Sequence, residues 1–110
     1  MSNGQIARSG PGTYRLSGEL SFTTVPQVWT AARRLIAEDG SGSSALHLDL
    51  AGVERADSAG VALLLEWLRE ARRQGRHLRL DNVPAQMQAI ARVSGLEELI
   101  AAAGEGAESG

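Results

Sequence analysis

Cysteine is absent from the 110 residues, which excludes disulfides and thiolate metal sites and suits a cytosolic chain. No apolar run approaches the ~20 residues that a spanning helix needs, and no stretch resembles a signal peptide. Direct membrane insertion is therefore not expected, and any membrane association has to come through a partner. Neither sign of charge dominates: 11 basic and 13 acidic residues leave a formal net charge of -2. Bulk charge thus gives no reason to expect nucleic acid or anionic lipid as a direct partner. Glycine-rich phosphate loops are missing too, since Gly40, Gly42, Gly52 and Gly60 match neither G-x-G-x-x-G nor a P-loop. Histidine occurs only as His47 and His77. Without cysteine or an H-x-x-x-H spacing, these predict no metal site. His47 and Asp49 do share one strand face, but a hydrogen-bonded sheet face accounts for them without a metal. No cofactor is expected.

What is present fits one small α/β domain. Hydrophobic residues make up 43%, ordinary for a globular chain of this length. Residues 1–11 are polar and glycine-containing and read as a flexible N-terminus. The domain is expected over 12–101, and 102–110 as a disordered tail. Thr13 to Leu20 alternates and breaks at Gly18, which predicts two short strands or one bent strand. Thr23 and Thr24 suit the cap of a helix with Pro26 in its first turn. Val25, Val28, Trp29, Ala32, Leu35 and Ile36 then recur at helical spacing. Gly40 to Ser44 is a linker too short to separate domains. A strand over Ala45 to Leu50, a loop over Ala51 to Asp57 and a helix over Ser58 to Gln74 follow, with Gly75 as the stop. His77 to Leu80 alternates as a strand. Asn82 to Pro84 opens a third helix with Met87, Ile90, Ala91 and Val93 apolar, ended by Gly95. Leu96, Leu99 and Ile100 suggest a last short turn. Strand–helix alternation after residue 44 implies a β-α-β crossover, with helices mainly on one face of the sheet.

The stretch from Leu46 to Gly75 carries most of the functional information. It places Ser58 on a loop between a strand and an apolar helix, beside unpaired backbone N–H groups. There it can be a helix cap, a nucleophile, a phosphate acceptor or the centre of a docking surface. As a nucleophile it lacks support: Ala56-Asp57-Ser58-Ala59-Gly60 has no leading glycine of the G-x-S-x-G elbow. A base is also missing beside it, the only histidines being His47 and His77. A phosphate there would meet helix N–H donors and a favourable dipole, with Asp57 adding repulsion.

The following helix has a core stripe of Val61, Leu64, Leu65, Leu68 and Ala71. Leu63 and Trp67 continue a second apolar line from Gly60. A helix apolar on more than one side is either sandwiched within its own fold or covered by a partner. Trp67 thus either packs on the helix over Pro84 to Ser94 or faces a partner. Arg69, Arg72, Arg73, Arg76 and Arg79 form a basic cluster, the first of them near the end of this helix, where cations suit the macrodipole. Glu66 and Glu70 lie one turn before them, and the cluster reads as a solvated face.

These residues resemble the STAS domain family. Asp49-Leu50, Val53, Asp57-Ser58 and Gly60 match its strand ending in Asp-Leu-x-x-Val, followed by Asp-Ser/Thr-x-Gly and an apolar helix. The likeness runs from about Thr13 to Ile100. It implies a mixed sheet with helices packed mainly on one face, and a role that is not enzymatic. In anti-sigma-factor antagonists of this family, the serine matching Ser58 is phosphorylated by a partner kinase. In the B subunit of Mla phospholipid-transport ABC complexes, the matching position lies on the surface that binds the ATPase subunit. Leu16 to Leu20, Trp29, Gly60 to Leu65 and Ala71 to Gly75 are similar to that subunit. The resemblance therefore implies a cytoplasmic chain, held at the inner membrane through its partner, that supports the ATPase of a transporter maintaining outer-membrane lipid asymmetry. Asp57, Ser58, Ala59, Gly60, Leu63 and Trp67 are the implied partner surface. The alternative is an anti-sigma-factor antagonist, its partner a kinase and Ser58 its phosphorylation site.

Overall fold

The computed structural model describes residues 4–38 and 45–96. Its first two strands, β1 (Gln5–Gly10) and β2 (Thr13–Leu20), form an antiparallel hairpin across Pro11 and Gly12. Proline presets the first turn position, and Gly12 takes φ 66 at the second, where a side chain would be strained. The flexible start expected over residues 1–11 is thus an edge strand from Gln5 to Gly10. An edge strand buries little, and only Ile6 and Gly10 are half-covered here. The alternation that reveals a strand in sequence is therefore missing. β2 is one strand, with Gly18 at φ 82 beside a register shift against its parallel neighbour.

Helix α1 (Val25–Ala37) leads to β3 (Ala45–Ala56), α2 (Ser58–Arg73) leads to β4 (His77–Asp81), and α3 (Ala85–Val93) follows. The sheet order is β1-β2-β3-β4, with β2, β3 and β4 mutually parallel. The fold is α/β with a mixed sheet, as expected. Parallel neighbours force α1 and α2 to run back along the sheet. Both helices consequently begin at the carboxyl ends of the strands that precede them.

The loop expected over Ala51 to Asp57 is instead, as far as Ala56, the second half of β3. The register moves from Arg15↔Asp49 to Ser17↔Gly52, and from Gly18↔Val53 to Glu19↔Arg55. At each step β3 spends one more residue than β2, a bulge that breaks the two-residue period. This is why Ala51 to Ala56 does not read as a strand. Gly52 sits at the first shift, where a Cβ would lie 2.9 Å from the Ser17 Cβ and 3.2 Å from the Leu16 carbonyl oxygen.

Tyr14, Leu16, Leu20, Leu46, Leu48, Leu50 and Leu80 bury one face of the sheet under the helices. The other face is polar. There Arg15 Nε lies 3.9 Å from Asp49, Arg79 Nε 3.0 Å from Asp81, and His47 Nδ1 3.8 Å from Asp81. The His47 and Asp49 pair belongs to this ladder of side chains. Helix α2 is central, packing on β3 and β4 beneath it and on α1 and α3 at its flanks. It ends as expected at Gly75, with φ 71, the Gly75 N–H donating to the Arg72 carbonyl and the Arg76 N–H to that of Ala71. Gly95 ends α3 with the same pattern of bonds. Val93, expected on the apolar face of α3, is 89% exposed. The linker expected at 40–44, the turn at Leu99 and Ile100, and the tail at 102–110 lie outside the described residues.

Candidate functional site

Two chain segments meet at the carboxyl ends of β2 and β3. One is Ser21 to Thr24, which joins β2 to α1. The other is Asp57 to Gly60, the cap and first turn of α2. In sheets of parallel strands this is the end where ligands and partners are usually received, because side chains on separate loops converge there.

Asp57 joins the segments. It is the N-cap of α2, with extended backbone, and its Oδ1 accepts from the Ala59 N–H at 2.8 Å. Its Oδ2 accepts from the Phe22 N–H at 3.4 Å, and its own N–H donates to the Leu20 carbonyl at 3.0 Å. One carboxylate therefore caps a helix and fixes the neighbouring loop. That loop is also held from within. Thr24 Oγ1 donates to the Glu19 carbonyl at 2.7 Å and accepts from the Ser21 N–H at 2.9 Å. The Ser21 hydroxyl donates to Glu19 Oε2 at 3.0 Å. Thr24 precedes α1 as expected, but its side chain serves this loop and makes no capping bond to the helix.

The capping role considered for Ser58 thus falls to Asp57. Ser58 is the first residue of α2 and is exposed, and no hydrogen bond to its hydroxyl is found among the described residues. Neither histidine reaches it. His77 starts β4 at the far end of the strands, and His47 lies opposite Thr13 and Arg79 near the strand starts. Ala59 is half-buried beside it. An open cleft of about 400 Å³ borders the site, with Glu19, Ser21, Arg55, Asp57 and Gln86 among its walls. Gln86 comes from α3, and its Oε1 accepts from the Ala56 N–H at 3.1 Å.

The rest of the expected partner surface is corrected by burial. Gly60 is buried, and a Cβ there would lie 3.0 Å from the Leu20 Cβ and 3.2 Å from the Leu20 carbonyl oxygen. Its smallness serves the approach of α2 to the sheet, not the approach of a partner. Leu63 and Trp67 are 3% and 2% exposed, and Trp67 is the largest fully buried side chain. Its ring packs against Trp29 of α1, with centroids 6.2 Å apart and planes at 53°. The second apolar line exists because α2 is flanked on both sides, so its buried arc is wide. Leu64 is fully buried as expected, while Leu65 and Leu68 are only partly so.

One surface residue was not foreseen. Phe22, the sole phenylalanine, is 73% exposed beside Asp57. Its only sequence signal is an aromatic side chain within the otherwise polar Ser21-Phe22-Thr23-Thr24.

The strand order, the helix faces and this braced helix start define a STAS-type domain, and sequence comparison gives the family. The model of the family described as "Mlab, STAS domain" matches residues 7–101, and the chain belongs to that family. It is 30% identical over 89 residues to the intermembrane phospholipid transport system binding protein MlaB of Haemophilus influenzae, covering 81% of this chain and 85% of the relative. Among solved structures, the phosphorylated form of the Bacillus cell fate determinant SpoIIAA shares the fold. It has a TM-score of 0.62 and 23% identity, and 86% of each chain is covered. The unphosphorylated form of this anti-sigma factor antagonist gives 0.60 and 22%, with 81% of each covered. No helix among the described residues is long and apolar enough to cross a membrane.

Proposed function

We propose that this chain is a non-enzymatic subunit that docks on the ATPase of a phospholipid-trafficking ABC transporter at the cytoplasmic face of the inner membrane, and so supports the transport that maintains lipid asymmetry. The observation that carries this reading is the exposed Ser58 at a helix start that Asp57 has already capped. A serine freed from capping and without a base beside it is suited to contact rather than to catalysis. The likeness to a phospholipid transport system binding protein supports the choice of system. Asp57, Ser58 and Ala59 form the centre of the surface, and Leu63 and Trp67 support it from inside.

The test is co-purification of the full chain with the ATPase subunit from the same source, followed by ATP turnover. Ser58→Ala should retain the fold and most of the binding. Ser58→Asp places a second carboxylate beside Asp57 and should release the subunit and lower turnover. Full turnover after demonstrated dissociation would contradict the supporting role.

A second reading is favoured by the same exposed hydroxyl. A phosphoryl group on Ser58 would meet the N-terminus of α2 and add about -1.5 to -2 charges to the surface. The fold shared with SpoIIAA fits an anti-sigma-factor antagonist switched in this way. Co-purification with a kinase, and not with a transporter, would favour it.

A further inference from the structure

Large exposed apolar side chains are scarce in this molecule: among the described residues they are Phe22 and Val93. Val93 stands alone at the end of α3. Phe22 stands beside Asp57 and the start of α2, on a loop whose backbone is pinned by Asp57, Thr24 and the Ser21 carbonyl. An aromatic ring left in water on a fixed loop has already lost most of the freedom it would lose on binding, which is how interface anchors gain affinity.

The charges around it indicate what the ring meets. At this end of the molecule, among the described residues, lie Glu19, Glu54 and Asp57 beside Arg55. At the other end, where all three helices finish, the described residues include Arg33, Arg34, Arg69, Arg72, Arg73, Arg76 and Arg92 beside Glu38, Glu66 and Glu70. Among the described residues, acidic side chains thus outnumber basic ones around Phe22, which projects from the acidic end. A surface that complements it combines an apolar socket with a basic rim. A second copy could offer the basic rim from its opposite end. Such a head-to-tail contact between unlike ends is heterologous and builds rings or filaments of the chain, which self-association of the chain alone would report.

Resting on the reading above, we propose that Phe22 is the apolar anchor of the ATPase interface. It seats in a socket on the ATPase whose rim carries lysine or arginine, and Glu19 faces that rim. Ser58 then marks the centre of the contact, and Phe22 supplies its buried area.

The test is a titration of the purified ATPase subunit with the full chain carrying Phe22→Ala, Phe22→Leu or Glu19→Gln. Thermal unfolding of each variant serves as the fold control. Phe22→Ala should unfold like the parent but bind on the order of tenfold or more weakly. Phe22→Leu should recover part of that loss. Glu19→Gln should flatten the decline of affinity with added salt. Wild-type affinity in Phe22→Ala, alongside weak binding by Ser58→Asp, would overturn the anchor while leaving the docking reading intact. No binding by the wild-type chain would remove both. A homodimer of the chain alone that Phe22→Ala dissolves would assign the ring to a second copy and overturn the proposal.

Discussion

Gly60 and Asp49 show how single residues are constrained. In an exposed helix interior, glycine to alanine usually gains roughly 1 kcal/mol. At Gly60 the new methyl would press on the Leu20 Cβ and carbonyl, and that carbonyl is held by the Asp57 N–H. Gly60→Ala should therefore be destabilised on balance, by about 1–3 kcal/mol as an overpacked site, measured by the urea midpoint. A gain in stability would mean that α2 can lift from the sheet at little cost. On the polar sheet face, Asp49 accepts from Asn82 Nδ2 at 3.0 Å and from the Ala51 N–H at 2.9 Å, with Arg15 nearby. The Asn82 bond first, then the Ala51 amide and the Arg15 charge, hold its carboxyl below the ordinary 3.8, outweighing partial burial. A depressed carboxyl stabilises the fold above its ordinary value, and that contribution is lost as pH falls through the folded value. Acidification below ~pH 4 should thus cost the parent more stability than it costs Asp49→Asn. Parallel acid profiles for the two would contradict this assignment.

At the scale of elements, α2 decides how the site is read. Its existence, its bounds to within a residue and its glycine stop are legible in sequence, because apolar periodicity and the Gly75 turn are local signals. Which of its faces is covered is not local. It depends on α1 and α3 lying on either side, and no spacing within Ser58 to Arg73 states that. Leu63 and Trp67 therefore look like spare apolar surface in the sequence and are core in the fold. The same limit hides β1, whose partner is β2, and the second half of β3, whose bulges erase the period. The helix start at Asp57 and Ser58 is legible, but the brace from Asp57 to the Phe22 loop spans two segments and is not. Trp67→Ala should cost about 3–5 kcal/mol of folding stability, as for other buried large aromatics. Phe22→Ala, on the exposed loop, should stay within about 0.5 kcal/mol of the parent. Chemical denaturation of the two distinguishes core from surface. Equal losses would contradict the assignment of both rings. Trp67 Nε1 is buried, with no hydrogen-bond partner among the described residues. Trp67→Phe, which removes that donor and keeps a ring, should cost much less than the alanine variant.

The whole molecule is a sheet with unlike faces and unlike ends. The helices cover one face, a ladder of polar and charged side chains occupies the other, and among the described residues acidic side chains gather where α2 begins and arginines where it finishes. The central claim is that partners are met at the acidic end, where Ser58 and Phe22 are held side by side. Hydrogen exchange of the full chain, alone and in complex with the ATPase subunit, tests this most directly. On binding, protection should rise in the segments containing Phe22 to Thr24 and Ser58 to Gly60. The segments containing His47, Arg79 and Arg72 should exchange as they do in the free chain. Protection confined to the charged sheet face or the arginine end, with none at the start of α2, would contradict the account.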